Sequence, residues 1–209
     1  MLGTVVGAVI ALSSIGGAPS GEKGETPPDD IVAELTINSY YYDVWPYFGG
    51  HSFLTVKNVS GSSLFVGHVT LNNNSAITIG TWDSSVTGYH SGIYYGFERT
   101  SASGDWKNLD SNRMKYSLTD LEFPTLHSQL RTSSNNQWSL TNTCANFASR
   151  VWNACTATSY HITESSFPND IYDELEEAFS GLSGYSTTSW LPYNSLVGYV
   201  NSSGNYVSI

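Results

Sequence analysis

Cys144, His51 and His68 are of the types that nucleophilic catalysis needs: a thiol, an imidazole to hold its proton, and a polar group to fix the imidazole's tautomer. After Cys144, apolar residues recur at 147, 148, 151, 152 and 155, one face at helical spacing. Before it stand Thr141, Asn142 and Thr143, all of them types that cap helix N-termini. The pattern predicts a helix over 144–155 with the cysteine in its first turn. Unpaired backbone N–H groups and the positive end of the helix dipole favour a thiolate there. The pattern equally suits a cysteine that simply begins a buried stripe, because free cysteine is among the most buried residue types.

His51 follows Gly49 and Gly50 and heads a predicted strand over 51–57, with a turn at 58–63 and a partner strand over 64–71. If Ser60 and Gly61 centre the turn, position 53 lies opposite 68, and alternation then puts His51 and His68 on one face. His51 is the candidate base and His68 the candidate orienting partner, with Thr70 and Asn72 as alternatives for the second role. Taken singly, His51 also reads as a surface histidine at a strand start and His68 as a satisfied histidine in the sheet. His90, in a loop, and His127, on a polar helix face, are given no role.

The elements that must position these residues follow from periodicity and turn chemistry. Residues 31–39 alternate loosely, and 76–82 and 92–98 read as further strands of an antiparallel, meander-type sheet. The polar stretch 100–115 reads as a loop. A helix is expected over 117–131, capped at Thr119 and disturbed at Pro124, and another over 167–181, with Asn169 near its cap and Gly181 at its end. Residues 196–209 read as a hairpin around an Asn-Ser-Ser-Gly turn. Tyr40, Tyr41, Tyr42, Trp45, Tyr47 and Phe48 crowd ahead of Gly49, as a core edge or as the lining of a cleft. The fold class is α+β, an antiparallel β-sheet packed against a few helices.

The chain of 209 residues is long enough for one well-buried core, so a single domain is expected over residues 31–209. Residues 1–18 form an uncharged apolar segment ending in small residues. It resembles the hydrophobic part of an export signal, lacks the usual basic residues ahead of it, and is too short to span a bilayer comfortably. A truncated start, or a small-residue helix with the Gly3 to Gly7 spacing, are alternatives for it. No cysteine is present there for a lipid anchor. Residues 19–30 are rich in Gly, Glu, Pro and Asp and read as a flexible linker.

A net charge of −10 with only 8 Lys and Arg leaves little to neutralise phosphates, so nucleic acid is not expected as a partner. The charged fraction of 12% is a habit of secreted proteins, and the expected location is secreted or cell-surface. On one continuous helix Cys144 and Cys155 would stand about 16 Å apart, beyond the ~5.5 Å between Cα atoms that a disulfide needs. Two cysteines at that spacing with no neighbouring histidine pattern do not resemble a zinc site, and no metal or cofactor is expected.

A Gly-His pair opening an early strand, and Cys144-Ala-Asn-Phe-Ala opening a later helix, resemble the circularly permuted papain-like hydrolases. These are relatives of the NlpC/P60 cell-wall peptidases and of the lecithin retinol acyltransferase group. Gly50-His51-Ser52-Phe53 matches the histidine motif and Cys144-Ala145-Asn146-Phe147-Ala148 the cysteine motif, over roughly residues 36–155. The chain departs in having Thr143 directly before the cysteine, with Asn142 one place earlier. The resemblance implies a permuted papain-like fold, His51 as base for Cys144, and the Cys144 backbone N–H as oxyanion donor. It further implies an exported thiol hydrolase cleaving an amide, such as a peptide bond in peptidoglycan. An acyl-ester hydrolase or acyltransferase, or a toxin effector, would use the same scaffold. From another class comes a non-catalytic extracellular module whose Tyr and Trp side chains grip a glycan or a protein.

Overall fold

The computed structural model describes residues 29–41, 50–98 and 110–209. The signal-like segment, most of the linker, and Tyr42, Trp45, Tyr47 and Phe48 of the aromatic cluster lie outside the described residues. Those described contain the strands β1 Ile31–Tyr40, β2 His51–Asn58, β3 Leu64–Val66, β4 Val69–Leu71, β5 Ala76–Trp82, β6 Gly92–Tyr95, β7 Ser111–Thr119, β8 Tyr185–Ser186, β9 Gly198–Val200 and β10 Tyr206–Ser208. Their α-helices are α1 Ser84–Thr87, α2 Phe123–Arg131, α3 Cys144–Cys155 and α4 Pro168–Phe179. The fold is therefore α+β, with a large antiparallel sheet. No helix among the described residues is long and apolar enough to cross a membrane.

Eight strands form one sheet in the order β10-β9-β6-β5-β2-β1-β7-β8, and every pairing in it is antiparallel. The registers pair Leu35 with Val56, Ile37 with Leu54 and Met114, Leu54 with Ile79, and Ile79 with Tyr95. These residues share one face and are fully buried. On that side α3 packs against β2, β5 and β1, α4 against β7, β1 and β2, and α2 against α3 and β3. Phe147, Ala148, Val151 and Trp152 of α3, Ile171 and Leu175 of α4, and Leu126 and Leu130 of α2 complete the same apolar cluster. The opposite face carries Thr36, Asn38, Thr55 and Thr78, also buried. Burial on both faces explains why β1 and β5 alternate only loosely in sequence.

Four expectations are corrected. Residues 64–71 are not the hairpin partner of β2. They fold on themselves as the two-stranded β3–β4 sheet, around Gly67 at φ +57°. β2 instead lies between β1 and β5, where both its edges are paired and both its faces are buried in the middle of the sheet. The stretch read as a loop to 115 contains the first half of β7. Met114 and Leu118 there supply the alternate apolar positions that β1 pairs with over nine residues, a non-local pattern hidden among polar neighbours. The helix expected from 117 begins at Phe123, with Pro124 in its first turn where a missing N–H is harmless. Thr119 lies ahead of it, its N–H and hydroxyl bonded to the Glu122 carboxylate. Finally, α4 covers Pro168–Phe179 in place of 167–181, with Phe167 as its cap residue and Asn169 two places on.

The helix expected over 144–155 runs over those residues, and both cysteines are free. The C-terminal hairpin forms as β9 and β10 and extends the sheet beyond β6.

Gly50 connects the sheet to its central strand at φ +73°, and a Cβ there would collide with the carbonyl oxygen of Tyr40 on β1. Replacing Gly50 by Ala should therefore destabilise the fold by about 2 kcal/mol or more, from left-handed strain plus the clash. Urea unfolding should show it as a lowered midpoint with an unchanged slope.

Candidate active site

Cys144 is the first residue of α3, and the reason lies just before it. The Thr143 hydroxyl accepts from the Asn146 N–H at 3.5 Å while the Asn146 side chain accepts from the Thr143 N–H at 3.1 Å, a reciprocal capping box. Thr143 also donates to the Ser166 carbonyl at 2.8 Å, tying the helix start to the chain ahead of α4. The loop that enters the helix is fastened from behind by Arg150, which donates to Asn135 Oδ1 at 2.8 Å and Asn142 Oδ1 at 2.9 Å. Asn142 in turn donates to the Gln137 carbonyl at 2.7 Å. Asn142 thus serves as a loop brace, and Thr143 as the helix cap.

His51 is the first residue of β2, paired with Tyr40, and is 4% exposed. Its ring lies between Trp82, at 4.1 Å between centroids, and Phe53, at 5.6 Å. The imidazole contacts two titratable groups at once: it hydrogen-bonds Cys144, and its Nε2 stands 3.5 Å from Oε1 of Glu98. The Glu98 carboxylate is fully buried, and the same Oε1 accepts the Trp82 indole N–H at 3.1 Å. With Nε2 turned to the carboxylate, the second ring nitrogen is the one left to serve the thiol.

Burial opposes charge on both central groups, and their mutual attraction overrides it. For His51 the Cys144 thiolate acts first and Glu98 second, and together they raise its pKa to about 9. For Cys144 the imidazolium, with the backbone N–H groups of Ser52 and Ala145, brings the thiol below its ordinary value. Both shifts favour the thiolate–imidazolium form of the pair over the neutral one. Cys155, eleven residues on in the same helix, is the internal contrast, since burial pushes its thiol up to about 12.

Room for Glu98 comes from Gly80 on β5. A Cβ at that position would collide with Glu98 Oε1 and sit 3.2 Å from His51 Nε2. The chain reaches Glu98 by leaving β6 through Gly96, at φ +70°. Glu98 was legible only as the end of an expected strand over 92–98. The available signal was a single carboxylate in the run Ile93-Tyr-Tyr-Gly-Phe-Glu98, an acid where burial was to be expected.

The structure brings Cys144 and His51 together and places His68 elsewhere. His68 occupies the β3–β4 turn, with Nδ1 at 3.1 Å from the Tyr95 hydroxyl, and its charged neighbours are Arg131 and His127. Its predicted role rested on a β2 pairing that the fold does not contain. Thr70 and Asn72 are both exposed, so neither reaches the buried His51 ring. The group beside His51 is Glu98. Among the described residues no group of three or more His, Cys, Asp or Glu side chains is arranged to hold a metal ion.

Comparison of the chain with protein-family models, curated proteins and solved structures finds no match in any of the three.

Two outcomes follow from this geometry. Iodoacetamide should modify Cys144 and spare Cys155, and the reaction should persist well below the ~8.5 of a free thiol. Mass spectrometry across pH 5 to 9 checks both points. Gly80→Ala should displace the Glu98 carboxylate, remove part of what raises the His51 pKa, and so lower the pH at which the imidazolium titrates. Ring-resonance titration of His51 by NMR reads that shift directly.

Proposed function

We propose that this chain is a thiol hydrolase in which His51 activates Cys144 and Glu98 holds His51. The observation that carries the reading is one buried imidazole in contact with both a helix-start cysteine and a carboxylate. Each part has a nucleophilic-catalysis role: thiolate, proton carrier and tautomer-fixing acid. The order of the motifs, histidine on an early strand and cysteine at a later helix start, is that of the permuted papain-like hydrolases, and we assign the fold to that group. The scissile carbonyl is most simply that of an amide, such as a peptide bond of peptidoglycan, because an amine leaving group requires an acid. His51, protonated at rest, is in the right state to supply one. An export-type start agrees with an extracellular substrate.

In the reaction the Cys144 thiolate attacks the carbonyl carbon and the C–N bond electrons pass to nitrogen, which takes the proton of the His51 imidazolium. The amine leaves and a thioester remains on Cys144. Neutral His51 then deprotonates water, which attacks the thioester. The acid is released and the thiolate–imidazolium pair is restored. At each tetrahedral stage the first-turn N–H of Cys144 would donate to the oxyanion, as the resemblance to the permuted papain-like hydrolases implies. Glu98 keeps Nε2 engaged throughout, so the other nitrogen carries every proton.

The test is hydrolysis of peptidoglycan fragments followed by mass spectrometry, with acyl esters as a parallel substrate set. Cys144→Ala should abolish turnover and His51→Ala should lower kcat/KM by roughly 10³-fold or more. Glu98→Gln keeps shape but not charge and should cost about 10- to 100-fold in kcat with little change in KM. Turnover by Cys144→Ala equal to wild type would end the hydrolase reading.

A further inference from the structure

Apart from the Cys144 site, a cleft of about 490 Å³ opens where the β3–β4 turn, the end of α2, the 133–139 loop and the β9–β10 turn meet. Its wall includes Arg131, His68, His90, Asn136, Trp138 and Ser203. Among the described residues no carboxylate lines it, although Asp and Glu number 18 in this chain against 8 Lys and Arg. Arg131 makes no ion pair among the described residues, whereas both Lys57 and Lys115 pair with Glu34. Nη1 of Arg131 donates to the Gly67 carbonyl at 3.1 Å, which steadies the guanidinium beside His68 and leaves its remaining N–H groups for a ligand.

We propose that this cleft binds the carboxylate or phosphate group of a small molecule, with Arg131 as its principal anchor. A guanidinium offers a planar fork that matches either oxyanion, and the Ser203 hydroxyl lies in the same wall, while the Asn136 side chain braces that wall by donating to the Asn201 carbonyl at 3.0 Å. Half-buried Trp138 provides a flat apolar surface for the rest of the molecule. The electrostatics agree. Partial burial first, and then the Arg131 guanidinium beside it, hold the His68 pKa below its ordinary value. The negative end of the α2 dipole works against an anion here, and Arg131 in its last turn offsets it. In a chain of net charge −10, a recess that no carboxylate lines among the described residues spares an anion beside Arg131 close repulsion. None of this depends on Cys144 being catalytic.

The experiment is an NMR titration of the full chain with inorganic phosphate, and separately with acetate, at constant ionic strength and pH 7, following the histidine ring signals. The expected result is saturable shifts confined to His68 and His90, with the tighter of the two anions naming the group recognised. Arg131→Gln should weaken that binding by about tenfold or more, and Arg131→Lys should recover part of it. Cys144→Ala should bind as wild type does, which separates this site from the hydrolase reading. Shifts that do not saturate in the wild-type chain, or an unchanged affinity in a folded Arg131→Gln variant, would overturn the proposal.

Discussion

An ionisable cysteine, a histidine and a glutamate buried together form the constraint on which this structure turns. Any one of these charges alone in a low-dielectric interior would cost several kcal/mol, and the group would neutralise instead. Here each charge is answered by a neighbour. The Cys144 thiolate has the His51 imidazolium and the N–H groups of Ser52 and Ala145, and Glu98 has His51 on one side and the Trp82 indole N–H on the other. Trp82 has a double part, since its ring face lies against the imidazole while its N–H holds the carboxylate. An aromatic face favours the protonated imidazole, which adds to the same bias.

Such a cluster is useful only if its members cannot drift apart, and the scaffold supplies that rigidity from three directions. β2 is clamped between β1 and β5 in the middle of an eight-stranded sheet, so His51 stands at the end of a strand with neighbours on both sides. α3 lies across the same strands, its Phe147, Val151 and Trp152 buried against them, which fixes the height of Cys144 relative to His51. The capping box and the Arg150 brace then hold the first turn of that helix and the loop that feeds it. Where the site needs space, the chain has glycine: Gly80 admits the Glu98 carboxylate and Gly50 admits the close approach of β1. The fold divides into a packed apolar face that positions and a strand end where His51 meets Cys144 and Glu98.

The distribution of charge follows a related logic. Among the described residues Glu98 is the one buried carboxylate, and the cleft around Arg131 has none. The 133–139 loop lines that cleft and leads into the braced approach to Cys144. A small anion held by Arg131 would therefore rest on the same segment that delivers the cysteine.

What the sequence by itself determined is what local interactions decide. The helix over 144–155, a capping residue among Thr141, Asn142 and Thr143, Cys144 in its first turn and His51 at a strand start all depend on residues within a few positions of one another. The absence of a 144–155 disulfide followed from helix geometry alone. What only the tertiary structure decided depends on which strands meet. β7 was invisible because Met114 and Leu118 become a pattern only when β1 lies beside them. His68 was drawn into the site by a plausible local hairpin that lost to the pairing of β2 with β1 and β5. Glu98 entered it because Gly80, two strands earlier in the chain path, leaves a gap that no local rule records. Turn chemistry and helix capping are written over four or five residues, but the neighbour of His51 is chosen by the sheet order, and sheet order is settled by burial of the whole chain at once.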